Sequence, residues 1–273
     1  MSSYQPNTEQ LLFQVENKVA HITLNRPDAR NALSDELTSA MREAVAWSNS
    51  DSSVGAILIS GAGGAFCSGG DVKAMNQRQL TYEKRPTLET QFQTMRARHH
   101  ELAGAIHASR KPSIAAITGP AAGAGLALAL ACDMRVMDLN TFVSTGYAKI
   151  GLSGDYGIAW LLTRIVGPGR ARQFMLTSER IQAADALSCG LVSRLADSKN
   201  LLTDAQTLAT ELANGPLVAY SYIKDNLDEA LTVDHATAID READRLLKAR
   251  TSTDHKEAVA AFAEKRAPKF IGG

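Results

Sequence analysis

Two apolar runs that each end in a glycine-rich turn constrain this chain more than any other feature. VGAILIS (residues 54–60) runs into GAGGAFCSGGD, and SIAAIT (113–118) runs into GPAAGAG and then LALALACD. Strands with so little polar alternation must be covered on both faces, as parallel strands are in α/β folds. VAHITL (19–24) reads as a further strand, stopped by Pro27 in NRPDARNALS, and DMRVM (133–137) as another. Ser34 or Asp35 is placed to cap a helix over DELTSAMREAVAWSNS. From about residue 200 the β signal stops, and LLTDAQTLATELAN, LVAYSYIKDNLDEAL and the stretch from ATAIDREAD onward have helical period. The expected division is an α/β core over residues 1–200 and a helical oligomerisation region over residues 201–273.

Charge and cysteine usage remove several function classes. Lysine plus arginine equals aspartate plus glutamate at 29 each, so no global field draws in nucleic acid or an anionic membrane. Cys67, Cys132 and Cys189 are an odd set without metal-ligand spacing, which points to a reducing compartment; Cys67 and Cys132 read as small buried residues. The first ten residues, MSSYQPNTEQ, lack a basic stretch followed by an apolar one, and AAGAGLALALACD is too short to span a bilayer. A cytoplasmic protein with neither membrane nor nucleic-acid partner is expected.

The glycine loops fail the tests for the common cofactor motifs. GAGGAF and GAGLAL both lack the last glycine of a dinucleotide fingerprint, and neither is followed by the GK[ST] of a P-loop. No GxSxG nucleophile elbow occurs, and HHELAG puts Gly104 where a zinc-binding HExxH needs histidine. What survives is a backbone role. Small residues opening a helix leave N–H groups pointing outward with the helix dipole behind them, a seat for an oxygen that becomes negative.

The segments NRPDARNAL, GAFCSGGDVKAM, KPSIAAITGPAAGAGLALALACDMRV and TSERIQAADALSCGLVSRL, in that order, resemble the crotonase (enoyl-CoA hydratase/isomerase) superfamily over nearly the whole chain. The resemblance implies an α/β fold with a ββα spiral core and a C-terminal helical trimerisation region. It also implies an acyl-CoA thioester substrate, with coenzyme A as part of that substrate and no separate cofactor or metal, and a homotrimer or dimer of trimers. By position it assigns the two oxyanion N–H donors to Gly70 and Ala124.

The same resemblance puts Ala127 and Tyr147 where hydratases carry their two glutamates, so neither position holds a carboxylate. Asp155, in KIGLSGDYG, falls at a position that resembles the catalytic aspartate of some isomerase and dehalogenase branches and is the candidate proton carrier, since a carboxylate among apolar residues gains basicity by desolvation; its plainer role is a helix N-cap. Tyr147 is either its hydrogen-bond partner or packing. His100, twelve residues before Pro112, falls where a dehalogenase branch carries a catalytic histidine; His99 and His100 face different sides of one helix, so at most one enters the site. Arg30, Ala32, Ser68, Asp71, Lys265 and Arg266 are the positions implied for holding coenzyme A, and residues 75–98 those that set substrate shape.

One carboxylate favours isomerase-like proton shuttling. The alternatives are aryl- or acyl-CoA dehalogenation or thioester hydrolysis, with Asp155 as nucleophile and His100 as base, and a catalytically inactive CoA-ester-binding protein.

Overall fold

The computed structural model describes residues 4–81 and 86–272. At one edge of its main sheet, β1 (Leu11–Glu16) and β2 (Val19–Leu24) pair antiparallel through a two-residue turn, Asn17 and Lys18, both at positive φ (51° and 63°). That backbone twist matches the twist of the strands it joins, and asparagine tolerates it at little cost. α1 (Asp35–Ser50) follows, and Ser34 is its cap: its Oγ accepts the Leu37 N–H at 3.0 Å, a bond worth about 1 kcal/mol. Leu37, Met41, Ala44 and Val45 form the helix's buried stripe.

β3 (Ala56–Gly61) leads into the first glycine loop, then α2 (Val72–Thr81) and α3 (Leu88–His99). The helix continues through a wider five-residue turn, His100–Gly104, into α4 (Ala105–His107). β4 (Ser113–Ile117) feeds the second loop, with short β5 (Ala121–Ala122), and then α5 (Ala124–Ala131). β6 (Met134–Asp138), β7 (Phe142–Ser144), α6 (Ile158–Thr177, kinked at Gly167), β8 (Ile181–Gln182), α7 (Ala183–Ser188) and β9 (Arg194–Ala196) complete the sheets.

The main sheet has the order β1-β2-β3-β4-β6-β9, parallel from β2 onward; β5, β7 and β8 form a small second sheet. All six residues of β3 are buried, and they divide by parity. Ile57 and Ile59 join the core under α1 and α5, while Ala56 and Leu58 meet the other face, which is covered by α8 (Leu201–Ala213) through Ala205, Leu208 and Ala209. The sheet is therefore covered on both sides, and the first helix after residue 200 belongs to that cover. α9 (Leu217–Glu229), α10 (His235–Arg250) and α11 (Thr253–Ala263) lie beyond it; α9 and α10 bury no residue. Among the described residues no helix is long and apolar enough to cross a membrane.

Candidate active site

The loop Arg26–Leu33 is braced against the first glycine loop by buried polar contacts. Asn31, fully buried at φ 55°, donates Nδ2 to the carbonyls of Ala62 (2.9 Å) and Ala65 (2.8 Å), and its Oδ1 accepts the Arg26 N–H (2.8 Å). The Arg26 guanidinium meets Asp71 Oδ2 through two nitrogens, each at 3.1 Å, while Asp71 Oδ1 accepts the Ala74 N–H and starts α2. That N–H and the guanidinium hold the Asp71 carboxyl below its ordinary range, although partial burial pushes the other way. Arg26 and Asn31 were not among the residues singled out from sequence, although both lie in the NRPDARNAL segment.

This bracing sets the backbone at Gly70. A parallel bridge pairs Gly70 with Leu33, and its bonds run from Leu33 N–H to Gly69 O (2.8 Å) and from Asp71 N–H to Leu33 O (3.4 Å). Gly70's own N–H is thus turned away from Leu33. Ala124 is the first residue of α5, so its N–H has no carbonyl one turn back within the helix. The two segments touch: a Cβ on Gly69, which sits at φ 94°, would lie 3.5 Å from Ala124 N, and a Cβ on Gly125 would lie 2.4 Å from Cys67 O. Gly70 and Ala124 line one cleft of about 380 Å³. Ala127 is fully buried, so the first position matched to a glutamate offers no proton-handling group.

Asp155 lines the same cleft, carried on the loop Gly154–Gly157 ahead of α6. It is not that helix's cap, because the capping position is Gly157 and no side chain caps the end. Instead its Oδ1 accepts the hydroxyl hydrogen of Tyr147, which is 4% exposed in a single turn below Gly123. Burial pushes the Asp155 carboxyl above its ordinary value; the Tyr147 hydrogen bond and then His99 oppose the shift. The Tyr147 hydroxyl is itself driven up, by burial first and then by the Asp155 charge. A carboxylate kept basic in this way is suited to taking a proton from carbon.

His99, not His100, enters the cleft. His99 is half-buried, with its ring 4.2 Å from that of Tyr156, whereas His100 is exposed at the start of the wider turn and lines no part of the cavity. Burial lowers the His99 imidazole below its ordinary value against the pull of the Asp155 carboxylate, with His100 adding to the lowering. Tyr156 follows Asp155 at φ 49°, a costly backbone for a bulky residue, and burial and then the Asp155 charge push its hydroxyl up to about 12. Cys67 and Cys132 are buried free thiols, each pushed up to about 12 by burial, as small core residues should be.

Of the positions implied for coenzyme A, Asp71 lines the cleft, whereas Arg30, Ala32 and Ser68 lie on the neighbouring loops without lining it. Ser68 N–H donates to Arg30 O (3.0 Å), and Ala32 lies two residues on; the Arg30 side chain is exposed. The Asp71 carboxylate is taken up by Arg26 and the start of α2. Lys265 and Arg266 lie past the end of α11 and do not line the cleft; Arg266 is held by Glu257 and Glu264. Among the described residues no three metal-binding side chains converge. Of residues 75–98, positions 82–85 fall outside the described residues, while Thr90, Thr94 and Arg98 face the cavity.

Comparison with known proteins identifies the family and the fold. Residues 14–273 match the family model described as enoyl-CoA hydratase/isomerase. The chain is 33% identical to the 1,2-epoxyphenylacetyl-CoA isomerase of Escherichia coli over 97% of this chain and 99% of that one. It is 31% identical to the crotonyl-CoA hydratase of Syntrophomonas wolfei, over 96% and 98% of the two chains. A crystal structure of an enoyl-CoA hydratase from Polaromonas superimposes with a TM-score of 0.87 at 30% identity, covering 95% of this chain and 98% of that one.

Proposed function

The chain belongs to the enoyl-CoA hydratase/isomerase family and is an acyl-CoA enzyme of that type, and from this premise we propose that it moves a proton on a thioester enolate with Asp155 as the carrier. Asp155 takes a proton from the carbon next to the thioester, and the C–H electron pair passes to the thioester oxygen. The N–H groups of Gly70 and Ala124 receive that oxygen, each contributing about 3 to 4 kcal/mol in the transition state. When the electrons return, Asp155 delivers the proton two carbons further along the acyl chain and the double bond has migrated. No second carboxylate is needed.

The observation that carries this reading is Asp155, a carboxyl that burial raises and Tyr147 partners, on the same cleft as Gly70 and Ala124; Asp71, also on that cleft, is held low. Coenzyme A is assigned to the loops that carry Arg30, Ala32, Ser68 and Asp71, with Lys265 and Arg266 reaching it from a neighbouring subunit. Homotrimer assembly, alone or as a dimer of trimers, is supported by the exposed apolar side chains of the C-terminal helices, among them Leu227 (65%), Leu246 (63%) and Phe262 (87%). The three free thiols fit the reducing cytoplasm.

The test is incubation with 2-enoyl- and 3-enoyl-CoA thioesters in deuterated water, read by mass spectrometry. Double-bond migration or α-deuteration without gain of water is the expected result. Addition of water would overturn the single-carboxylate shuttle in favour of hydration.

A further inference from the structure

The cleft wall formed by α3 is more polar than a hydrocarbon chain requires. α3 buries no side chain. It lines the cavity with Thr90, Gln91, Thr94, Arg98 and His99 and with a single apolar side chain, Met95, while Leu88 (69%) and Phe92 (51%) are left to solvent. A helix walling a purely hydrocarbon site would turn Leu88 and Phe92 inward as well as Met95. The start of α1 lines the same cavity with Thr38 and Asp35, and Asp35 Oδ1 lies 3.3 Å from Arg98 Nη1, joining the two walls.

These polar groups have capacity to spare. The Thr94 hydroxyl makes no hydrogen bond among the described residues. Thr38 Oγ1 donates to the carbonyls of Ser34 (2.9 Å) and Asp35 (3.0 Å), which leaves its lone pairs as acceptors. Arg98 carries five donors, and the Asp35 contact engages one of its nitrogens. A hydrocarbon tail laid here would strip water from these groups and return no hydrogen bond.

On the reading that this cleft takes an acyl-CoA, we infer that the preferred acyl group carries an oxygen function at its far end, a hydroxyl or a carboxylate, held by Thr94 and Arg98 opposite Thr38. A hydroxyl would donate to Thr38 and accept from Thr94. A carboxylate would accept from Arg98 and Thr94, sharing the guanidinium with Asp35.

The test measures Kd by calorimetry for three saturated, unreactive thioesters of equal chain length: hexanoyl-CoA, 6-hydroxyhexanoyl-CoA and adipoyl-CoA. At least one oxygenated thioester is expected to bind about tenfold or more tightly than hexanoyl-CoA. In Thr94→Val and Arg98→Met that ratio should fall toward one. Hexanoyl-CoA binding as tightly as both oxygenated thioesters would overturn the inference. So would an equal loss of affinity for all three in both variants, because the wall would then serve the coenzyme A portion. Binding of none of the three would overturn this inference together with the acyl-CoA reading. If the binding ratios hold but the matching enoyl-CoA thioesters are not turned over, only the proposed proton shuttle fails.

Discussion

Tyr147 donates its hydroxyl hydrogen to Oδ1 of Asp155 across the loop that leads into α6. The residue aligned with a catalytic glutamate by resemblance thus serves as the partner of the carboxylate eight positions later. The tyrosine moderates a carboxyl that burial would otherwise push higher. Several outcomes follow from this pair and from the backbone that faces it.

Asp155→Asn keeps the shape and the acceptor for Tyr147 but removes the base. Turnover of 3-enoyl-CoA should fall about 10²- to 10⁴-fold while acyl-CoA binding, measured by calorimetry, persists. The folded-state carboxyl lies above its unfolded value, so its contribution to stability is present at low pH and lost as pH rises through the folded value. At neutral pH the charged group is therefore a burden. The asparagine variant should melt at a higher temperature than wild type, and a lower one would contradict the assigned burial.

The acid limb of kcat/KM should lie above the ordinary aspartate value of 3.8. In Tyr147→Phe that limb should move to still higher pH, since the hydrogen bond that lowers the carboxyl is gone, with activity at its optimum within about tenfold of wild type. An unmoved limb would separate Tyr147 from the proton transfer.

Ala124→Pro removes one N–H at the first helical position, where proline's fixed φ suits the helix. The expected loss in kcat is about 10²- to 10³-fold, with coenzyme A binding retained. Full activity would show that the Ala124 N–H holds no developing charge.

Asn31→Ala takes the partner from three backbone groups, one buried and two partly buried, and places alanine at φ 55°. Urea unfolding should show a loss of about 3 to 5 kcal/mol, read as a lower midpoint at unchanged slope. A near-wild-type midpoint would mean that water replaces the bracing of the Gly70 loop.

The strands and both glycine loops were legible because fully buried parallel strands have no polar alternation, as β3 shows by burying every residue. Asp155 was legible as an isolated carboxylate among small and apolar neighbours. His99 was not distinguishable from His100, because the winding widens at His100–Gly104 and a fixed angle per residue no longer tells which ring faces inward. Tyr156 was hidden for a different reason: its left-handed backbone carries no mark in a residue that usually avoids it. The bracing depends on partners more than thirty positions away, the carbonyls of Ala62 and Ala65 for Asn31 and the Asp71 carboxylate for Arg26, which local pattern does not reveal.

The close approach at Gly125, where an added Cβ would lie 2.4 Å from the Cys67 carbonyl oxygen, makes the two backbone donors a joint property of loop and helix. Alanine at 124 has room for its methyl group beside the proposed donor. One methyl group at 125 would drive the segments apart and displace both donors together. Mutational tolerance around the cleft should therefore be uneven: permissive at 124, which lines the cleft, and closed at its neighbour, which faces only protein.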